Sequence, residues 1–181
     1  EKASKELDYE KAAIARDRIK ALTQIQNSQK INHTNLKEAD VVSIYKETGK
    51  TCIQVFFFIS KQNWGNQAFY PKHDTDDKIE DILSSFLSQF YENKTIPALI
   101  LTNARVNEIK LLEKTFSSKE NKQITIKLAK AKNEISISNL AEKNAKQALK
   151  QKLIQSDTNN NLVEALAAKF KFDNNIDLIE V

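Results

Sequence analysis

The sequence predicts a mixed α/β fold, with an N-terminal helix followed by a β-β-β-α-β-α-β-α domain. Three observations predict it. Residues 40–59 are rich in Val, Ile, Phe and Tyr, the residues of half-buried strands. Ile79, Ile82, Leu83, Phe86, Leu87, Phe90 and Tyr91 recur at the spacing that lines one face of a helix. Beyond them, short apolar runs alternate with helical stripes, as strands joined through helices do.

Residues 8–27 read as one helix. Asp8 is a good N-cap, Glu10 adds a carboxylate to the first turn, and Ala12, Ala13, Ala15, Ile19, Leu22 and Ile25 recur at helical spacing. This apolar face is mostly alanine, which suits close approach of another helix. A polar linker spans Asn27 to Asn35. Asp40 to Lys46 and Thr51 to Ile59 then form a hairpin, with Gly49 in the Glu-Thr-Gly-Lys turn as the residue able to take positive φ. Asn66 to Tyr70 adds a third strand after a loop around Trp64-Gly65.

The stripe from Ile79 to Tyr91 marks a helix capped by Asp74 or Thr75. Pro97 opens a strand from Ala98 to Leu101; Val106, Ile109, Leu112 and Phe116 mark a helix; Gln123 to Leu128 is a strand. Ile137 starts a long helix with Leu140, Ala141, Ala145, Ala148, Leu149 and Leu153 inward and Lys143, Lys146 and Lys150 on its other face. A turn at Ser156 to Asn161, a short helix through Leu162, Val163, Leu166 and Phe170, and a strand from Ile176 to Val181 complete the reading. Three antiparallel strands followed by alternating helices and strands is also the element order of an RNase H-like fold, a weak discriminator because other mixed folds share it.

Composition narrows the function classes. In 181 residues there is no run of 18 uncharged apolar residues and no signal-peptide pattern, so the expectation is a cytoplasmic protein without membrane contact. A single cysteine, Cys52, excludes a disulfide framework or a cysteine-ligated metal made by this chain alone, and its apolar neighbours make it a small buried hydrophobe rather than a reactive thiol. Two glycines cannot build a phosphate-cradling glycine loop, and the missing methionine points to a piece of a longer protein. The net charge of +4 is unevenly spread: Asp74 to Glu92 holds six acids and one lysine, whereas Arg105 to Lys152 holds twelve basic residues and five acidic ones. Such a lobe attracts phosphate if its lysines share a face, though a solvated lysine-rich helix has the same composition.

An RNase H-like nuclease needs three or four carboxylates around two metal ions that clamp the attacking and leaving oxygens. No such set is evident. Asp40 reads as a solvated acid at the mouth of the first strand, and Glu80 and Asp81 lie at the polar edge of the first core helix. His33 and His73 lack metal-ligand spacing and read as exposed loop residues. No catalytic residue, metal site, cofactor or small-molecule substrate is therefore expected.

The run Leu7-Asp8-Tyr9-Glu10-Lys11-Ala12-Ala13-Ile14-Ala15-Arg16-Asp17 resembles the UVR motif, usually Leu-Asp-Phe-Glu-x-Ala-Ala-x-x-Arg-Asp. Ile53 to Ile59, Asn63-Trp64-Gly65-Asn66, Phe69-Tyr70-Pro71, Phe86 to Tyr91 and Leu140 to Ala145 resemble, in order, the blocks that follow that motif in the UvrC family of bacterial excision nucleases. The final Leu178-Ile179-Glu180-Val181 resembles the start of the strand that leads, in that family, into the catalytic Asp of the RNase H-like nuclease.

The resemblance implies a part of a DNA-repair endonuclease that incises on both sides of a lesion, a part without either catalytic centre. It implies three regions: a partial UVR hairpin (1–30), a middle mixed α/β domain whose element order matches a degenerate RNase H-like fold (36–155), and a connector with a first strand toward the nuclease (156–181). UvrB would be the partner, with Leu7, Tyr9, Ala12, Ala13 and Ile19 packing against its helical hairpin and Arg16 and Asp17 pairing at the rim. Damaged DNA would meet Lys130, Lys132, Lys143, Lys146 and Lys150. Departures from the pattern include Tyr9 for Phe, Ser60-Lys61 for Arg-Gly, and Ala129-Lys130-Ala131-Lys132 for Pro-x-Arg-Gly, which replaces a bidentate fork by point charges. The alternative is a stand-alone UVR adaptor without nuclease activity.

Overall fold

The computed structural model describes residues 36–170, with side chains through Ser156. The expected UVR helix, linker and C-terminal strand lie outside the described residues. A five-stranded sheet of order β3-β2-β1-β4-β5 is built from β1 (Glu38–Glu47), β2 (Lys50–Ile59), β3 (Gln62–Phe69), β4 (Leu99–Thr102) and β5 (Thr125–Leu128). The β1-β2 and β2-β3 pairs are antiparallel; β1-β4 and β4-β5 are parallel. Helices α1 (Ile79–Phe90) and α2 (Ile109–Glu120) follow β3 and β4, and α3 (Lys132–Phe170) follows β5.

Both faces of the sheet are covered, and the two-residue period of the strands sorts the side chains between them. Val42 and Ile44 of β1, Ile53 and Val55 of β2, Ile100 and Ile126 pack under α1 and α2 with Leu83, Leu87, Leu112 and Phe116. Ala39, Val41, Phe56, Phe58 and Leu101 turn the other way, onto Ile137 and Ala141 of α3. The helical stripe is core as expected, and its rings interlock: Phe86 and Phe90 meet Phe69 at 5.3 and 5.2 Å, Phe90 meets Tyr91 at 4.9 Å and Tyr91 meets Phe116 at 5.5 Å. Each such pair adds about 0.5–1.5 kcal/mol beyond burial. Cys52 is buried beneath Ala145 and Leu149 of α3.

The β1-β2 turn has Thr48 and Gly49 at φ 48° and 72°, so the expected role of Gly49 holds. A methyl group there would stand 2.9 Å from Thr75 Cγ2, a second reason for glycine. Ser60 and Lys61 take the same left-handed conformation between β2 and β3, without a glycine. The third strand starts at Gln62 rather than after Trp64, because a bulge absorbs the loop. Phe57 pairs with Gly65 and Phe58 with Asn63, so Trp64 is the extra residue and is aimed outward, 69% exposed.

Three expected boundaries move. Neither Asp74 nor Thr75 caps α1, which starts at Ile79 after Lys78 with no side-chain cap. The carbonyls of Thr75 and Asp77 instead each accept a 2.7 Å hydrogen bond from Lys46 Nζ, holding 74–77 as a separate turn. The last helix starts at Lys132 rather than Ile137, since Glu134 Oε2 accepts from the N–H groups of Lys130 and Ala131 and satisfies two donors at its entry. It also runs on through 156–161, where a turn is expected. Ser, Asp, Thr and Asn there lower helix propensity by about 0.7 kcal/mol or less each, and neither glycine nor proline interrupts the helix.

Candidate functional site

In an open sheet with parallel strands, ligands meet the crevice outside the carboxyl ends of those strands. Here that is where β4 ends against the middle of β1, which runs on to Glu47; Val42 stands opposite Thr102. The next residue, Asn103, is committed to β1: Ile44 N–H donates to its Oδ1 at 2.8 Å, and its Nδ2 donates to Ile44 O at 2.9 Å. Nδ2 also donates to Glu142 Oε2 on α3, at 3.1 Å. Ser43 Oγ, buried on the α3 face, donates to Ser138 O at 2.9 Å. The carboxyl end of β4 and the adjoining middle of β1 thus meet α3 through an amide, two hydroxyls and one carboxylate.

The acids weighed from sequence do not gather there. Asp40 is buried rather than solvated, near the opposite end of β1, and Tyr91 Oη donates to its Oδ2 at 2.6 Å. It points to the α1 face, where β1 is covered by core. Burial pushes its pKa up to about 6, against the lowering effects of the Tyr91 hydrogen bond and Lys94. Asp40 therefore meets the last turn of α1, whereas Glu80 and Asp81 stand in its first, about 15 Å away at 1.5 Å per residue. Asp81 accepts a hydrogen bond from Asn107. Among the described residues no three His, Cys, Asp or Glu side chains come together as metal ligands.

Lys143, Lys146 and Lys150 lie along α3, Lys132 opens it and Lys130 stands just before it. Lys130, Lys132, Lys143, Lys146 and Lys150 are all exposed, and Ala141, Ala145 and Leu149 are buried between them. Lys146 Nζ lies 5.1 Å from the Tyr45 ring centroid, at the end of β1, and hydrogen bonding to Tyr45 holds its pKa above the ordinary value. Leu7, Tyr9, Ala12, Ala13, Arg16, Asp17, Ile19 and His33 lie outside the described residues.

His73 differs from expectation. It is partly buried, with Nδ1 2.7 Å from Asp74 O and Nε2 2.6 Å from the hydroxyl of buried Thr51. Lys50, Lys72 and Lys152, which sequence reasoning did not single out, line the same hollow. No local pattern marks them, since the hairpin, the loop after β3 and α3 bring them together over a hundred residues. Among the described residues no helix is long and apolar enough to cross a membrane.

A family model described as the UvrC Ribonuclease H-like domain matches residues 38–152, and a second, the UvrB/uvrC motif, matches residues 1–25. The first covers the whole described sheet, consistent with the expected mixed α/β fold of RNase H-like order. Among curated relatives, the "UvrABC system protein C" of Bartonella quintana is 43% identical over 180 residues, covering 99% of this chain and 26% of that protein. That of Bartonella henselae is 42% identical, covering 99% and 27%. That of Zymomonas mobilis is 39% identical, covering 100% and 27%. The chain thus spans about a quarter of the length of these relatives.

Proposed function

We propose that this chain, which belongs to the UvrC family, is a non-catalytic element of a cytoplasmic excision endonuclease that positions DNA and docks UvrB. The observation that carries the reading is the commitment of Asn103. Both its amide groups are engaged with the backbone of Ile44, so among the described residues the crevice that two-metal chemistry would fill with carboxylates gathers no metal-ligand cluster and presents Glu142, itself hydrogen-bonded to Asn103. What surrounds that crevice on α3 is positive: Lys143, Lys146 and Lys150 face solvent within two turns. Point charges without a bidentate fork hold phosphates without reading bases, which suits positioning.

Fluorescence anisotropy of a labelled damaged duplex tests the DNA half. Each lysine that neutralises a phosphate contributes about 0.9 to the slope of log affinity against log salt. Replacing Lys143, Lys146 and Lys150 together by Ala is therefore expected to flatten that slope by about 3. An unchanged slope returns the α3 face to the role of solvated surface.

The UvrB half rests on the motif match at residues 1–25 and on a relatedness that continues far past the motif, which favours this reading over a stand-alone adaptor. Titration calorimetry against the C-terminal hairpin of UvrB is expected to show binding that Tyr9→Ala abolishes. Binding that survives Tyr9→Ala moves the docking face elsewhere.

A further inference from the structure

We propose that the hollow where the β1-β2 hairpin, the loop after β3 and α3 converge is a binding site for phosphate groups. Its volume of ≈ 480 Å³ lies in the range of small-ligand sites, roughly 300–1,000 Å³. Lys50, Lys72 and Lys152 line it together with His73, Thr48 and Ser156, and none of the described lining residues is an acid. Glu47 faces Lys50 across the hairpin, and Asp74, Asp76 and Asp77 lie in the adjoining loop, but none of them lines the hollow. Three ammonium groups around one concavity repel each other, and an anion with several oxygens relieves that repulsion. Hydroxyls and point charges, with no guanidinium, suit a tetrahedral oxyanion that can be approached from many directions rather than a planar carboxylate.

The walls are held in place. Lys46 Nζ ties the hairpin to the carbonyls of Thr75 and Asp77, and Gly49 packs so close to Thr75 that no β-carbon fits. The His73 ring is fixed at both nitrogens: a carbonyl can only accept, so Nδ1 donates to Asp74 O, and Nε2 lies 2.6 Å from the Thr51 hydroxyl. Lys152 Nζ sits 3.8 Å from the Tyr70 ring centroid, and Tyr70 Oη in turn donates to Ala148 O on α3. The site prolongs the lysine row of α3. Lys143 to Lys152 spans about 14 Å of helix axis, comparable to four steps of one DNA strand at ~3.4 Å each. That DNA is the source of the phosphate rests on the reading above; the site itself does not.

The test uses the 181-residue chain and two probes, a labelled DNA oligonucleotide and inorganic pyrophosphate, with Lys50→Gln/Lys72→Gln and the triple α3 variant of Lys143, Lys146 and Lys150. The double variant is expected to weaken DNA about tenfold or more at low salt, to reduce the salt slope by about 2, and to leave the thermal melt unchanged. Loss of DNA binding in the double variant with the triple variant unaffected supports this site and overturns the α3 face. Pyrophosphate binding that shifts the His73 ring resonances and disappears in the double variant, with DNA affinity unchanged, supports a phosphate site whose source is a free phosphate compound. Unchanged DNA affinity together with no pyrophosphate-dependent shift at His73 overturns the proposal, whatever the triple variant does.

Discussion

The two ends of the central strand solve opposite electrostatic problems. At its start β1 buries a carboxylate: Asp40 is covered by the last turn of α1, supported by Tyr91, and raised to about 6. A pocket of ≈ 370 Å³ beside it is largely apolar, with Phe57, Ile59 and the outward Trp64, and Lys94 lies 3.8 Å from the Phe90 ring centroid. At its finish β1 carries no acid of its own in the sheet interior. Ser43 bonds α3, Asn103 clasps Ile44, and beyond them stand Tyr45, Lys146 and the lysine-lined hollow. The difference teaches that the placement of an acid decides its chemistry. A carboxylate in the interior is desolvated until it takes up a proton near pH 6 and leans on a tyrosine hydroxyl, while a crevice well placed for metal chemistry is occupied by an amide that serves as a strut.

The comparison breaks hardest at Asn103. Asn103→Asp removes the donor to Ile44 O and sets a second negative charge beside Glu142, so a loss of about 3 kcal/mol is expected at pH 7, read as a lower urea midpoint. Adding Glu142→Gln to that variant should restore part of the loss; no recovery would show that the two side chains are not coupled as drawn.

Next in size is the opposite substitution at the other end. Because the folded pKa of Asp40 is raised, the folded state holds a proton that the unfolded chain has released between pH 3.8 and about 6. Stability therefore falls as pH rises through that window and levels off above it. Two pKa units correspond to about 3 kcal/mol at 1.36 kcal/mol each. Asp40→Asn, which keeps an acceptor for Tyr91, is expected to gain about 2 kcal/mol at pH 8, little below pH 4, and to flatten the pH profile. A steeper profile in the variant would assign the titration to another group.

Smaller effects sharpen the picture at the hairpin end. Gly49→Ala meets both a positive φ and Thr75 and should cost about 1–2 kcal/mol in chemical denaturation. Lys146→Gln, removing an exposed cation from the Tyr45 ring, should have the smallest effect of all, a slight lowering of the melting temperature.

Local patterns made the scaffold legible. The stripe from Ile82 to Tyr91 could be seen because its periodicity lies within one helix, and the first turn because Gly49 sits between two strand-like runs. Asp40 is buried where a solvated acid is expected, for a physical reason: Ala39 to Ile44 is buried on both faces, so β1 lacks the alternation that would show which side an acid takes. α3 starts at Lys132, five residues before the expected Ile137, because its entry is capped by Glu134 from inside the helix rather than by a residue ahead of it. The clasp of Asn103 and the meeting of Lys50, Lys72, His73 and Lys152 depend on contacts between distant segments, which no spacing rule reports. The family resemblance supplied what periodicity could not, the expectation of DNA and UvrB as partners, and left the described side chains to say how.

Cys52 gives the domain an internal clock. Its thiol lies at zero exposure under Ala145 and Leu149, and burial pushes its pKa up to about 11, so a thiol reagent can reach it only when α3 lifts from the sheet. Leu149 and Lys152 also wall the lysine-lined hollow. The half-time of thiol labelling therefore reports how often that wall is taken away, and an anion lodged against it lengthens the interval between openings.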